Sequence, residues 1–385
     1  MKIGIDARFY GSLGKGLGRY TEKLITYLEA VPGDACTYVV FLRRENFDEY
    51  KPKNPRFTKV MADYPWYGWR EQLLFPLQLR RFKFDLIHFP HFNVPILVPA
   101  PFTVTVHDLI LFHFPTVKAS ELSPFLYWLK YVAYRIVITL AIRRARAIIA
   151  VSEFTRTDIC STYRWAALKT VVTLEAAESS CFWTHPSVER ELLRALGLFG
   201  GQDETGSDQF LPFVLYVGNA YPHKNLELLL SVAPAMPDVV FLCVGKEDFF
   251  YHSFRKQVTA AGVSNIRFAG YIDDRSVGVL YRRARAYLFP SFYEGFGLPG
   301  LEAMNYGLPV VAARAGSLPE IYAGAAVYFN PRDGKACIRA LQQAFESERA
   351  KRHRQLGFDQ ASRFSWERMA FETSRLYKNC LSKKY

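Results

Sequence analysis

The feature that most constrains this chain is a rhythm of short apolar, β-rich runs separated by longer helical stretches. The first half carries Lys2–Ile5, Val39–Leu42, Leu86–Phe89, Thr103–His107, Ala147–Val151 and Thr170–Thr173. The second carries Phe213–Val217, Val239–Val244, Ile266–Ala269, Ala286–Phe289, Val310–Ala313 and Ala326–Tyr328. A run such as Phe213-Val214-Leu215-Tyr216-Val217 is apolar at every position, which suits a parallel strand covered on both faces. Strand–helix alternation in both halves predicts an α/β chain of two doubly wound, Rossmann-like units. A length of 385 residues is enough for two cores. The expected division is 1–182 and 183–364, with a hinge near Ser179–Pro186 and Gly197–Gln209 as a surface loop. Residues 365–385 are expected as a helix offering Trp366, Met369, Phe371, Leu376 and Tyr377 for burial.

Composition removes several classes. Half the residues are apolar and 22% are charged, a globular balance. The six cysteines form no C-x-x-C pair, so neither a disulfide scaffold nor a zinc finger is expected, and a reducing cytoplasm fits. The 49 basic against 36 acidic residues leave a charge of +13, which attracts phosphorylated ligands, anionic headgroups or nucleic acid. No nucleic-acid-binding motif supports the last of these, and none is expected as a partner. The run Phe125–Ile142 contains Lys130 and Arg135 and ends at Arg143-Arg144, so it reads as a core helix with a basic end. The stretches Trp66–Arg70 and Arg80–Lys83 suit either helix packing or an acceptor near a bilayer, leaving a peripheral membrane contact open.

In open α/β sheets ligands bind beyond the carboxyl ends of the strands. The segment Ser291–Met304, SFYEGFGLPGLEAM, follows such a strand. Pro299 is expected at the first helical position and Gly307 at the C-terminal cap. The loop Glu294-Gly295-Phe296-Gly297-Leu298 then ends on a helix N-terminus, whose amides and dipole favour an anion. Glu302, expected in the first turn, and Glu294 suit sugar or ribose hydroxyls. After Phe213–Val217 comes Gly218-Asn219-Ala220-Tyr221-Pro222-His223-Lys224-Asn225, which places Lys224 as a point charge for the same anion. In the first half, Gly14, Gly16 and Gly18 form a G-x-G-x-G loop, about ten residues from strand to helix, which is not a dinucleotide fingerprint. His107 and Asp108 end a strand at the same kind of edge, His88 and His91 also follow a strand, His88 within apolar sequence that reads as packing, and Ser152 and Ser317 read as helix caps. No D-x-D, G-x-S-x-G or P-loop motif occurs, so neither a metal nor a cofactor is expected.

Taken together these residues resemble the retaining GT-B glycosyltransferases of family four. GIDARF, GLGRY, VHDL, VSEFTRTDI, Lys224-Asn225 and the Glu294/Glu302 segment carry the likeness, with a flavour of the mannosyltransferase branch that uses GDP-mannose. The resemblance implies a cleft between two domains and a hexose moved from a nucleotide-diphosphate sugar to a glycan or lipid-linked acceptor. It implies donor sugar on Glu294, ribose on Glu302, diphosphate on Lys224 and the amides of Gly297 and Leu298, His107 at the reacting sugar, and Gly16 approaching from the first domain. The family usually has Arg before the lysine. His223 stands there, which makes that phosphate contact weaker or pH-dependent. Rival readings are a sugar-nucleotide epimerase or phosphorylase, an NADP-dependent oxidoreductase hinted at by Arg43-Arg44, and a non-catalytic basic binding protein. The enzyme is expected in the cytoplasm, at the inner face of a membrane if it touches one.

Overall fold

The structure, a computed structural model, describes residues 1–11, 15–115, 124–178, 185–202 and 208–382. Gly14, residues 179–184 of the expected hinge, and residues 203–207 of the expected loop lie outside the described residues. The chain forms two compact units.

The first unit is built on a seven-stranded sheet of β1 (Lys2–Asp6), β2 (Thr37–Leu42), β3 (Phe57–Met61), β4 (Leu86–Phe89), β5 (Phe102–Val106), β6 (Ala147–Ala150) and β7 (Thr170–Val172). All neighbours pair in parallel in the order β3-β2-β1-β4-β5-β6-β7. The strand order reverses between β1 and β4, which opens a crevice beyond their carboxyl ends. Around the sheet run α1 (Lys15–Glu29), α2 (Trp69–Arg80), α3 (Ile110–His113), α4 (Pro124–Arg144) and α5 (Glu153–Thr162). The apolar strand residues are buried, as Ile3, Ile5, Val104 and Ile148 illustrate.

The second unit opens with α6 (Pro186–Ala195) and an antiparallel hairpin of β8 (Phe199–Gln202) and β9 (Asp208–Phe210). Its six-stranded sheet comprises β10 (Phe213–Val217), β11 (Val240–Val244), β12 (Ile266–Gly270), β13 (Ala286–Phe289), β14 (Val310–Ala313) and β15 (Ala326–Phe329). These also pair in parallel, in the order β12-β11-β10-β13-β14-β15, so the order reverses between β10 and β13. The helices are α7 (Leu229–Val232), α8 (Phe249–Ala260), α9 (Asp274–Arg283), α10 (Leu298–Asn305), α11 (Leu318–Tyr322), α12 (Gly334–Phe345) and α13 (Ser347–Ala361). The last helix, α14 (Trp366–Ser382), packs on α1 and belongs to the first unit.

Four features differ from the sequence reading. The units divide after Glu175 rather than after residue 182, and residues 113–115 group with the second unit, where His113 and Phe114 meet the ring of Tyr293. Residues 199–210 include a hairpin where a loop was expected, because cross-strand backbone bonds offset the flexibility of Gly200 and Gly201. The α1 helix starts at Lys15, so Gly16 and Gly18 lie in its first turn rather than in a ten-residue loop. Finally, α4 is not a core helix. Only 17% of its most apolar stretch is buried, and it rests on the unit mainly through Ile138, Ala141 and Ile142. By length and composition alone it is apolar enough to cross a membrane.

Candidate active site

In the second unit the switch between β10 and β13 brings two loops side by side. Residues 218–225 leave β10 and residues 290–297 leave β13. The Phe292 N–H donates to the His223 carbonyl at 2.7 Å, which ties the loops together. Asn225 sits at φ +57, and its side-chain amide donates to the carbonyls of Pro290 (3.0 Å) and Pro331 (2.8 Å). The left-handed backbone there ends the turn Pro222–Lys224 and turns the chain toward α7.

The two loops place Lys224 against Glu294. The ammonium donates to both carboxylate oxygens, at 2.7 and 3.0 Å, with the two side chains only 15% and 9% exposed. An ammonium carries three N–H bonds, so this grip leaves a third. Glu294 is itself held by its backbone, since its carbonyl accepts from Ser317 N–H at 3.2 Å. Gly316, at φ +59, lets that segment pass, because a Cβ there would lie 2.7 Å from the Glu294 nitrogen.

Beyond Glu294 the chain enters α10 through Gly297, the N-cap, at φ +102. A side chain at 297 would collide with Leu318 and the Tyr322 hydroxyl, and that hydroxyl donates to the Gly297 carbonyl at 2.5 Å. Pro299 has no N–H and the Gly300 N–H donates to the Gly297 carbonyl at 3.2 Å, which leaves the Leu298 amide at the positive end of the helix. Leu298 is half-buried, while Gly295 and Phe296 are buried, Phe296 against the ring of Phe364. Helix α10 begins at Leu298, which makes Pro299 its second residue and Glu302 its fifth, one residue further in than expected. Glu302 accepts from the Tyr281 hydroxyl at 3.1 Å. The buried Tyr287 phenol donates to the Val217 carbonyl at 3.2 Å, and burial first, then the charges of Glu294 and Glu302, push its pKa well up. Gly307, at φ +69, follows the helix as its C-terminal glycine.

Gly218 and Asn219 lie at the exit of β10. The Gly218 N–H donates to Val244 O at 2.9 Å and its carbonyl accepts from Tyr251, while the Asn219 carbonyl accepts from Tyr216 at 2.5 Å. His223 is buried, and burial followed by the Lys224 charge lowers its pKa to about 3. At that value the ring is neutral near pH 7. Ser317 is not a capping residue. Its backbone is helical and its hydroxyl donates to the Phe296 carbonyl at 2.9 Å, bracing the Glu294 loop.

The first unit carries its own cluster at the carboxyl edge. His107 follows β5, with Nδ1 2.9 Å from Glu175 Oε1 and Nε2 2.9 Å from the Pro90 carbonyl. A carboxylate and a carbonyl can only accept, so the imidazolium, with both ring nitrogens donating, is the form that satisfies both contacts. Burial opposes that charge, but the Glu175 hydrogen bond and charge, Pro90 and Asp108 outweigh it and the pKa rises. His88, by contrast, is buried between Thr103 and Thr105, and burial drives it down to about 3. Beside this lies a buried network: Arg8 donates to Asp6 (2.8 Å) and Glu71 (2.6 Å), and Glu71 also accepts from Asn93 and from Tyr67 N–H. Gly16 is exposed, with open space where a Cβ would stand. Among the described residues no group of three His, Cys, Asp or Glu side chains is arranged to hold a metal ion.

Comparison with known proteins bears on this arrangement. The model of the family described as Glycosyltransferase Family 4 matches residues 14–173, and that of Glycosyl transferases group 1 matches residues 202–357. The chain is a family 4 glycosyltransferase with the GT-B fold. It is 29% identical over 309 residues to O-antigen chain mannosyltransferase B of Escherichia coli, covering 78% of this chain and 76% of that one. It is 22% identical to O-antigen chain mannosyltransferase RfbU of Salmonella typhimurium, over 86% of this chain and 88% of the relative. Among solved structures, Anabaena HepE in complex with UDP and glucose superposes with a TM-score of 0.70 at 20% identity, covering 98% of this chain and 99% of that one.

The sequence places Lys224 and Glu294 of this glycosyltransferase at one sheet edge, where the structure pairs them, but does not show the groups that hold their loops. Tyr322, Ser317 and Gly316 brace the Glu294 loop, and Glu175 holds His107. Glu175 comes three residues after β7, at the same sheet edge as His107, and that position was the available signal.

Proposed function

We propose that the chain transfers a hexose, with GDP-mannose as donor, from a nucleotide-diphosphate sugar to a glycan or lipid-linked acceptor, with retention at the anomeric carbon and without a metal ion. The observation that carries the reading is the Lys224–Glu294 pair at the β10/β13 switch point, beside the N-terminus of α10. Cleaving a sugar–phosphate bond builds charge on the departing diphosphate, and donors fixed in advance stabilise that charge without reorganising. The third N–H of Lys224 and the amides of Gly297 and Leu298 would take the phosphate oxygens. Hydrogen bonds to charged groups contribute about 1.5–3 kcal/mol each, so three of them lower the barrier substantially. Glu294 would accept from sugar hydroxyls, Glu302 from the ribose, and the His107 imidazolium, its two N–H groups already held by Glu175 and Pro90, would act on the reacting sugar through its charge alone.

The mannosyltransferase names of the relatives support the sugar, and their O-antigen role supports a polymeric acceptor. The buried free thiols of Cys36, Cys243, Cys337 and Cys380 suit the cytoplasm. The test is a panel of GDP-, UDP- and ADP-sugars, read by thermal shift and donor hydrolysis. GDP-mannose should raise the melting temperature most and be hydrolysed fastest. A larger response to a UDP-sugar refutes the donor, and an inverted product anomer in the NMR spectrum refutes retention.

A further inference from the structure

The first unit exposes a continuous apolar face that none of the site chemistry uses. On α4, Phe125, Trp128, Leu129, Val132 and Ile136 recur at spacings of three and four, so they share one side of the helix. All five are exposed, Phe125 by 77%. On α2, Trp69, Leu73 and Leu77 form a second stripe at a spacing of four, with Trp69 68% exposed. The loop between β4 and β5 joins the stripes with the exposed Ile96 and Leu97. Ile96 N–H donates to Gln72 of α2 at 3.0 Å, and Arg144 of α4 donates to the Ile96 carbonyl, so the loop is tied to both helices.

Among the described residues of α2 and α4 the exposed charges are all basic. Exposed Arg70 and Arg80 flank the α2 stripe, and exposed Lys130, Arg143 and Arg144 accompany α4. The helical spacing puts Arg80 at the end of the Trp69 stripe and Arg143 at the end of the Phe125 stripe. Helix α4 has no acidic residue, and the single carboxylate of α2, Glu71, is fully buried against Arg8. A protein partner surface of mixed charge does not call for such a face. Aromatic and aliphatic side chains bordered only by cations are what an anionic bilayer surface takes up.

Spanning does not fit. Ile138, Ala141 and Ile142 pin α4 to the core, the Thr139 and Tyr163 hydroxyls meet at 3.2 Å, and the Arg135 guanidinium lies 3.9 Å over the Phe112 ring. We infer that the α2–α4 face of the first unit lies on the surface of an anionic phospholipid bilayer, with Trp69, Phe125, Trp128 and Leu129 entering the headgroup–acyl boundary and the arginines meeting lipid phosphates. This inference does not depend on which sugar the enzyme transfers.

The experiment is flotation of the full chain with vesicles of phosphatidylcholine, with and without phosphatidylglycerol. Binding should require the anionic lipid and be reversed by high salt. Leu129→Glu with Val132→Glu should weaken partitioning by at least about 100-fold, and Arg80→Glu with Arg143→Glu by roughly tenfold or more. Trp69→Glu with Leu73→Glu tests the same face from α2 should the α4 variant not fold. Val188→Glu, an exposed apolar position of the second unit, should leave binding unchanged. Four results overturn the inference: no flotation with either vesicle, equal binding by the face variants, resistance to alkaline extraction as for a spanning helix, or a solution dimer that Leu129→Glu dissociates. Donor hydrolysis, measured without lipid, tests the sugar-transfer reading separately.

Discussion

Replacing Glu175 by Gln is the sharpest probe of the first unit's site. The substitution keeps an acceptor oxygen facing His107 Nδ1 and removes only the charge. The wild-type contact is short, at 2.9 Å, with the carboxylate 5% and the imidazole 20% exposed, so solvent screens it little. A hydrogen bond to a charged partner is worth about 1.5–3 kcal/mol net and a neutral one about 0.5–1.5, so the variant should lose roughly 1–2 kcal/mol. The loss has a definite pH dependence. The folded pKa of His107 is raised above its ordinary 6.5, so this stabilisation is complete below 6.5 and fades as pH rises through the folded value. The gap between wild type and Glu175→Gln in urea unfolding should therefore be widest in mild acid and close toward alkaline pH. Ring 15N shifts should show both nitrogens protonated in the wild type at neutral pH. Loss of the cationic ring should move to lower pH in the variant, carrying the alkaline limb of the activity profile with it. A gap that does not vary with pH, or a neutral ring in mild acid, refutes the imidazolium.

Lys224→Ala should lower kcat/KM by roughly 10²–10³, about 3–4 kcal/mol of transition-state stabilisation, and near-normal turnover would remove Lys224 from the mechanism. Glu294→Ala should abolish transfer yet keep nucleoside diphosphate binding in calorimetry; equal loss of both would mean that Glu294 holds the nucleotide. Gly316→Ala forces a Cβ to within 2.7 Å of Glu294 N and 2.9 Å of its carbonyl oxygen at φ +59, so turnover should fall with a stability loss of about 1–3 kcal/mol. An unchanged kcat would show that the Glu294 backbone can shift freely. Arg8→Leu leaves Asp6 and Glu71 buried without their cation and should destabilise the first unit by about 3–5 kcal/mol in scanning calorimetry, whereas a change under about 1 kcal/mol would mean water replaces it.

Both sheets were legible where strands are apolar on both faces. Leu86–Phe89, Phe213–Val217, Ala286–Phe289 and Val310–Ala313 fall on the residues expected, since continuous apolar runs have one low-energy place. The edge strand β3, with Lys59 at its centre and one face open, has no such signature and was missed. The convergence of Lys224 and Glu294 was legible because each follows a strand at the switch point. The His107–Glu175 contact joins residues 68 apart and depends on strand order, which no local pattern encodes. Helix α4 misled for another reason: apolar composition reports what can be buried, not what the fold leaves uncovered.

The chain visits the first unit with residues 1–112, returns with 124–175, and comes back once more with α14 after the second unit is complete. That last helix fills a gap rather than decorating a surface. Tyr377 is fully buried near the His88 ring, Arg146 donates to the Cys380 carbonyl, and Lys378 pairs with Asp34. During synthesis the residues translated first must therefore wait for those translated near the end, while the later-made unit can consolidate on its own. This inverts the usual vectorial order, in which the N-terminal domain folds first. Nascent chains stalled before α14 should show a protease-resistant second unit and a still-open first one.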